Sequence, residues 1–409
     1  MDTLNTVVIV GAGQAGGWVA KTLRDQGFTG EIYLLGDEAH PPYERPPLSK
    51  AVLLGDADHH TTYLWSEQQL SDLNINWQPQ FRVTAIAREQ QTVTGDNGKT
   101  LAYDALVLAT GSRVRTLNLA GSDSQRVRYL RNMEDCTQLR NDLSESSSLL
   151  VIGGGWIGLE VAASARKRGA TVTVLEAGER LSARALPPEF SEFLLHLHQE
   201  QGVTVKLGVN LEKFEETPTS IKVYLADGSV LEADQVVVGI GVIPNAELAQ
   251  AAGLAVNNGI VTDAEGRTTD AHIFACGDVT SYPHPWLGRM MRLESWANAQ
   301  NQAIATAKAI LQQDAKYHEV PWFWSDQYAV NLQALGMPQQ WSTPVYRGDP
   351  ASPSFSAFYL NDENQLDAVI AINSPMDIKV SKRLMEQRKA VDAKALADTS
   401  VKLQSLLKG

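Results

Sequence analysis

Two stretches of this chain repeat one pattern: an apolar run, then G-x-G-x-x-G, then a helix-forming segment. The first is VVIVGAGQAGGWVAKTLRDQG, with Gly11, Gly13, Gly16 and Gly27. The second is LLVIGGGWIGLEVAASARKRG, with Gly153, Gly155, Gly158 and Gly169. In such a loop the first glycine permits a tight turn, the second lets backbone approach a pyrophosphate, and the third lets helix and strand pack closely. The helix start adds free N–H groups and the positive end of its dipole. A single copy is compatible with a mere tight strand-to-helix turn. Two copies with matched flanks point to an α/β fold that holds two dinucleotides.

Bulk composition agrees. The 409 residues are 44% hydrophobic and 20% charged, an ordinary globular balance with room for two to four domains. The net charge of −12, with no basic run, argues against nucleic acid as a partner. Cys136 and Cys276 lack C-x-x-C spacing, which fits a reducing compartment and offers neither a zinc site nor a disulfide framework. None of the eight histidines has metal-ligand spacing, His59-His60 reads as a polar loop, and no metal is expected. The opening MDTLNTVVIVGAG enters the glycine loop without a basic start, so no secretory leader is expected. No uncharged apolar run reaches the ~18 residues of a membrane span. The nearest, 149–165, contains Glu160. A cytoplasmic location is the default, with no membrane partner.

Residues 6–36 read as strand, helix, strand, and 149–176 as a second βαβ unit. RPPLSK (45–50) opens a helix, with prolines suited to its entry. LAYDALVLATGS (101–112) reads as one strand with a glycine exit, and VVVGIGVIPN (236–245) as its counterpart. Paired strand-like stretches fall at 203–207, 221–225 and 235–239, with Asp227-Gly228 as a hairpin turn. IFACGDV (273–279) is a further buried strand ending in a carboxylate, and 297–312 is helical. PWFWSDQY then opens a last domain. The expected plan is α/β, with two Rossmann-like domains. The first is discontinuous, over 1–112 and 241–319; the second is inserted, over 113–240; a C-terminal α+β interface domain covers 320–409.

An acidic residue at the end of the second strand of such a unit can hydrogen-bond an adenosine ribose and repel a 2′-phosphate. In the second unit this is Glu176, which favours NADH over NADPH; Arg180 and Arg184, nearby in sequence, act against that preference. In the first unit Gly36 stands opposite Glu176, so the acidic position moves to Asp37, with Glu38 as the alternative. Glu160 falls in an apolar helix start, where an unpaired charge is costly, so a paired or functional role is expected.

VVIVGAGQAG, GDEAHPPYERPPLSK, LATGSR, VIGGGWIGLEVA, VGIGVIPN, IFACGDV and PWFWSDQY follow one another in this order. Together they resemble the FAD-dependent NADH:ferredoxin reductase components of aromatic ring-hydroxylating dioxygenases. Putidaredoxin and rubredoxin reductases share this plan, and apoptosis-inducing factor is similar more distantly. The resemblance implies FAD at the first loop, with Gly11, Gly13, Ala15 and Gly16. It implies NADH at the second, with Gly153, Gly155, Ile157, Gly158, Glu160, Glu176, Arg184 and Gly241. Further flavin contacts implied are Arg45, Lys50, Val83, Ala109, Thr110, Gly111 and Arg131, with Asp278 on the ribityl chain and backbone around Trp296 at the pyrimidine edge. Lys50 would lie near the flavin N5 and pair with Glu160 on the nicotinamide side, and Trp324 would close over the flavin or nicotinamide. Plainer readings stand beside these: Arg45 and Arg131 as surface salt-bridge residues, Lys50 as a solvated lysine, Trp322 as core, and Asp278 as the cap of a following helix.

Related flavoenzymes that reduce disulfides carry a redox cysteine pair early in this domain, whereas ERPPLSKAVLLG (44–55) has no cysteine. Electrons are therefore expected to leave singly, to a [2Fe–2S] ferredoxin of Rieske type, with no protein general base. A positive Lys50 would favour the reduced flavin. The basic GRMMRLE segment, with Arg289 and Arg292, is the expected docking edge for that partner. The alternatives are a reductase for rubredoxin or a P450 ferredoxin, and an NADH-sensing interaction protein similar to apoptosis-inducing factor. A monomer and a homodimer both fit.

Overall fold

The computed structural model describes residues 4–315 and 317–408, so the extreme ends of the expected first and last domains lie outside the described residues. The chain divides into two compact units. One comprises Met1–Glu44, Thr62–Arg113 and Ile243–Phe323; the other comprises Arg45–Thr61, Val114–Val242 and Trp324–Gly409. The RPPLSK stretch, read from sequence as part of the first nucleotide domain, thus groups with the second, as does the C-terminal segment.

The first unit is built on five parallel strands, in the order Ile273–Ala275, Ala105–Leu108, Thr6–Val10, Glu31–Leu35 and Ile75–Gln78. Val7 and Ile9 pack on one face with Val19 and Leu23 of the helix Gln14–Asp25, while Val8 and Val10 pack on the other with Leu106 and Leu108. A strand covered on both faces reads as an unbroken apolar run, which is why VVIV is legible. The stretch 101–112 is not one strand. Thr100–Ala102 joins a three-stranded antiparallel sheet with Val83–Ala87 and Thr92–Gly95, and Ala105–Leu108 enters the parallel core. The break falls at Asp104, whose carboxylate accepts the backbone N–H groups of Asn5 and Thr6, both at 2.8 Å.

The second unit repeats the plan. Its parallel order is Thr204–Lys206, Thr171–Leu175, Ser148–Ile152, Gln235–Val238 and Val127–Tyr129. Asp234 does here what Asp104 does in the first unit, accepting from the backbone N–H and hydroxyl of Ser148 at 2.7 and 2.9 Å. The three stretches expected to pair do not pair with one another. The outer two enter the parallel sheet, and Ile221–Leu225 sits between Leu211–Glu216 and Val230–Ala233 in an antiparallel sheet. Leu211–Glu216 escapes a sequence reading because LEKFEE buries only Phe214.

RPPLSK forms a 3₁₀ turn, Pro46–Ser49, then a single-turn helix, Ala51–Leu54, rather than one helix. Tertiary donors hold two of its carbonyls: Cys136 donates to that of Leu48 and Ser164 to that of Ser49, at 3.1 and 2.7 Å. At the C-terminal end a five-stranded sheet begins with Trp322–Gln327. Its strands Val330–Leu335, Leu366–Ile372, Phe355–Leu360 and Val345–Arg347 pair antiparallel, and helix Pro375–Glu386 packs on them. The fold is α/β, with two Rossmann-like cores and a C-terminal α+β domain. Among the described residues no helix is long and apolar enough to cross a membrane.

Candidate nucleotide-binding and redox site

The two glycine loops are superimposable in their chemistry. Gly11 N–H donates to the Leu35 carbonyl and Gly153 N–H to that of Leu175, each at 2.8 Å. Both glycines turn at positive φ, +109° and +106°. Gly16 and Gly158 press against their own loops: a Cβ there would stand 1.8 Å from the Gly11 oxygen and 2.0 Å from the Gly153 oxygen. Gly13 and Gly155 differ, because a Cβ at either would meet nothing within 4 Å. Each is the N-cap of a 12-residue helix that has no side-chain cap and no acidic residue in its first turn. Open space facing uncapped helix N–H groups is a cradle for an anionic dinucleotide, and both loops fit one. In the first loop, Gln14, which the sequence reading missed, has a side-chain amide buried with no protein partner on either atom.

The second-strand positions differ for a steric reason. A Cβ on Gly36 would lie 2.7 Å from the Ala12 methyl, so no acidic side chain fits there. In the second loop Gly154 takes the place of Ala12, and Glu176 uses the room. Its two oxygens accept the N–H groups of Gly154 and Gly178, both at 2.6 Å. Asp37 is exposed just beyond Glu31–Leu35, whereas Glu38 is engaged by the Tyr43 hydroxyl at 2.5 Å. Arg180 is committed to the carbonyls of Leu186 and Ala183 and to Ser191 Oγ. Arg184 stays exposed and lies alongside Gly241, 3.4 Å from where its Cβ would be. Ile157, also in the second fold, is 44% exposed at the helix start.

In the first unit the other expected residues gather at the carboxyl ends of the parallel strands, the usual ligand edge of such sheets. The Ala109 carbonyl lies under Gly11, and the Gly277 turn packs on Ala15. Asp278 accepts from Ser112 Oγ at 3.2 Å. Strand Thr280–His284 follows Asp278 directly, so the helix-cap reading fails. Thr110 and Asn245 are locked together: Thr110 Oγ1 donates to the Asn245 carbonyl at 2.7 Å, and Asn245 Nδ2 returns a bond to Thr110 O at 2.9 Å. Asn245 N–H also donates to Gly111 O at 2.9 Å. Trp296 begins the helix Trp296–Ile310, which packs along Gln14–Asp25, and its indole donates to Glu44 at 2.9 Å. Val83, partly buried, packs against the apolar cluster of Val8 and Val10. Of the two arginines expected at a docking edge, Arg292 is only 11% exposed and is paired with Glu294 at 2.5 Å. Arg289 is half-buried in the short strand Arg289–Met291, beside Met290 at the surface.

The second unit holds a buried charged centre. Glu160, 3% exposed, is paired with Lys50 Nζ at 2.7 Å. It also accepts from Ser49 Oγ at 2.5 Å and from Ser325 Oγ at 2.6 Å. Lys50 additionally donates to the Pro46 carbonyl at 3.2 Å, so it is not a solvated lysine. Strand Trp322–Gln327 explains how Ser325 arrives: side chains alternate, placing Ser325 and Gln327 inward and Trp324 and Asp326 on the opposite face. There the Trp324 indole donates to Asp326 at 3.1 Å. Ser49 and Ser325 lie inside RPPLSK and PWFWSDQY, where serine carries no local signal beside its charged and aromatic neighbours. Arg45 Nη1 donates to the Arg131 carbonyl at 2.7 Å, which ties the expected pair together.

Both cysteines are buried, and burial raises the Cys136 thiol to about 11 and the Cys276 thiol to about 12, far from thiolate character. Asp58, His59 and His60 form the one group of potential metal ligands found among the described residues, an exposed turn closed by a 2.7 Å His60–Asp58 contact.

Two dinucleotide folds of one plan, each with an open loop, define a pyridine nucleotide oxidoreductase. Residues 5–303 match the pyridine nucleotide-disulphide oxidoreductase family, and residues 322–407 match the domain described as reductase C-terminal. The chain belongs to the pyridine nucleotide-disulphide oxidoreductase family. It is 42% identical to the ferredoxin–NAD(+) reductase component of the anthranilate 1,2-dioxygenase system of Burkholderia cepacia, over 98% of both chains. It is 41% identical to putidaredoxin reductase of Pseudomonas putida, over 100% of this chain and 98% of that one. A solved covalent putidaredoxin reductase–putidaredoxin complex matches its fold with a TM-score of 0.95 at 40% identity, covering 99% of this chain and 98% of that one.

Proposed function

We infer that this protein is a cytoplasmic FAD-dependent ferredoxin–NAD(+) reductase. It passes electrons from NADH to a [2Fe–2S] ferredoxin that feeds an aromatic ring-hydroxylating dioxygenase. The observation that carries the reading is the Lys50–Glu160 centre, built on the stretch where disulfide-reducing relatives keep their cysteine pair. Full-length similarity to a dioxygenase-system reductase supports the choice of partner.

The first fold would hold FAD through the Gly13 loop, the 109–111 turn, Asp278 and the start of helix Trp296–Ile310. The second would hold NADH through the Gly155 loop, with Glu176 on the adenosine ribose. Bound FAD supplies the step from paired to single electrons, which no side chain provides. Lys50 contributes a positive charge kept in place by Glu160, and Ser49 and Ser325 keep that carboxylate from turning away. With both thiols buried and protonated, no dithiol carries the electrons out.

An anaerobic titration of the purified protein with NADH and then NADPH, followed by candidate ferredoxins, tests the reading. Bleaching of a yellow protein by NADH in preference to NADPH, with reoxidation by a [2Fe–2S] ferredoxin, is expected. A colourless protein, or one bleached better by NADPH, would overturn it. A second reading, in which the ferredoxin serves a P450, is favoured by the near-equal similarity to putidaredoxin reductase. Comparing Rieske-type and P450-type ferredoxins as acceptors separates the two.

A further inference from the structure

Beyond Glu160 the polar contacts of the second unit continue in an unbroken run. Gln327 Nε2 lies 3.0 Å from Ser325 Oγ, and Gln327 Oε1 lies 2.8 Å from His198 Nε2. His198 Nδ1 lies 3.2 Å from the Tyr328 hydroxyl. Ser325, Gln327 and His198 are buried, His198 completely. Neither the pairing of Lys50 with Glu160 nor the proposed function requires Gln327, His198 or Tyr328.

The donor sense of the run follows from its ends. An ionised Glu160 only accepts, so the single Ser325 hydroxyl hydrogen goes to it and Ser325 Oγ must accept from the Gln327 amide nitrogen. That turns Gln327 Oε1 towards His198, whose Nε2 must then carry a hydrogen. Nδ1 is left as an acceptor, and Tyr328 donates to it. Burial lowers the His198 pKa below its ordinary 6.5, which keeps the ring in the neutral form the run needs. A charged ring would leave Tyr328 without this acceptor.

The geometry points to Ser325, Gln327, His198 and Tyr328 as positioning residues whose four aligned donors brace the Glu160 carboxylate and, through it, fix Lys50. This role rests on the reading of Lys50 and Glu160 as redox-site residues. Every dipole of the run presents its positive end towards Glu160, and successive hydrogen bonds of one sense polarise one another. The run is not a proton path, because the amide at its middle neither gains nor loses a proton near neutrality. Its distribution over the chain is informative. His198 comes from helix Pro188–Glu200 of the nucleotide fold, and the other three come from or adjoin strand Trp322–Gln327. The brace therefore ties the C-terminal domain to the charged centre.

The test uses the full-length, flavin-loaded protein. Nitrogen-15 spectroscopy of the His198 ring reads its tautomer, and stopped-flow reduction by NADH gives a limiting rate and an NADH dissociation constant. The wild type is expected to show a neutral Nε2–H ring. Ser325→Ala is expected to lower the limiting rate about tenfold, the scale of one lost hydrogen bond to a charged group, and Gln327→Leu and His198→Leu to lower it in the same direction by less. The NADH dissociation constant stays within about twofold, because the brace sets the position of Lys50 through Glu160, whereas the Gly155 loop and Glu176 hold the dinucleotide. His198→Gln, which restores an N–H donor to Gln327, is expected to recover most of the rate. Ser325→Ala deletes a single oxygen and keeps the test standing if the ring variants do not fold. An Nδ1–H ring in the wild type, Ser325→Ala as fast as wild type, or His198→Gln as slow as His198→Leu would each overturn the brace. Absence of flavin reduction by NADH in the wild type would instead overturn the proposed function, and the ring tautomer would then decide the donor sense by itself.

Discussion

Alanine at Gly155 and alanine at Gly158 should have opposite effects, although the two glycines are three residues apart in one motif. Gly155 has φ −85° and ψ −177°, which alanine adopts without strain, and its Cβ would meet no protein atom. Such a substitution restricts the unfolded chain and stabilises by about 0.4–1 kcal/mol. For a unit of this size that raises the melting midpoint by roughly 1–4 °C. At Gly158 the new Cβ would stand 2.0 Å from the Gly153 carbonyl oxygen, a backbone atom that cannot swing aside. Overpacking of this kind costs about 1–3 kcal/mol or more, so the midpoint should fall by at least about 2 °C. Binding should invert the ranking. The Gly155→Ala methyl enters the space a pyrophosphate needs, and NADH affinity should drop at least about tenfold, or 1.4 kcal/mol, in the better-folded variant. Differential scanning fluorimetry and NADH titration on the same preparations read both quantities. If Gly155→Ala binds NADH as wild type does, the loop is not the pyrophosphate seat. If Gly158→Ala melts unchanged, the close-packing argument is wrong.

Three further outcomes follow from the same geometry. Lys50→Met or Glu160→Leu alone should lower stability by about 3 kcal/mol, the low end for breaking a buried pair because Lys50 retains 16% exposure, while Lys50→Met with Glu160→Leu should recover part of it; strictly additive losses in urea melts would refute the pairing. His284 is held at about 4, well below its ordinary 6.5, chiefly by burial and then by Arg289. The unfolded chain thus takes up a proton between those values that the folded chain refuses. Stability should fall as pH drops from 6.5 towards 4 by on the order of 2 kcal/mol, and His284→Gln should flatten that slope in unfolding curves. Arg289→Glu should slow ferredoxin reduction and spare ferricyanide reduction, whereas Arg292→Glu, which breaks the Glu294 pair, should lower the melting midpoint as well.

Those predictions draw unevenly on what the sequence made legible. Both parallel sheets were visible because strands such as Val7–Val10 and Leu149–Ile152 are apolar on both faces, and the loops between them need glycine at a positive φ. Leu211–Glu216 was not, because a strand covered on one side of a small sheet shows one buried phenylalanine among charges. RPPLSK carries the local signals of a helix start, whereas the tertiary bonds to the Leu48 and Ser49 carbonyls have no mark in the local sequence. Glu160 announced itself as a charge in an apolar segment, but nothing local marks Ser49 or Ser325 as its partners. Serine is common, and only the strand alternation of WFWSDQ, once placed, turns Ser325 inward. The displaced acidic position of the first loop was likewise half legible. The vacancy at Gly36 could be read from alignment, whereas its cause, the Ala12 methyl, needed three dimensions.

Under the proposed NADH role, Glu176 has a consequence for attempts to change nucleotide preference. Its carboxylate is a tethered counter-ion, folded back onto the two amide groups of Gly154 and Gly178 in the room left by a missing methyl. Truncating it to alanine does more than remove a repulsive charge. It uncovers two backbone donors beside an already electropositive helix end and so converts a self-neutralised loop into an open anion trap. A redesign towards phosphorylated nucleotides would therefore start from subtraction, with the scaffold itself providing the attraction and an added arginine serving only to refine it.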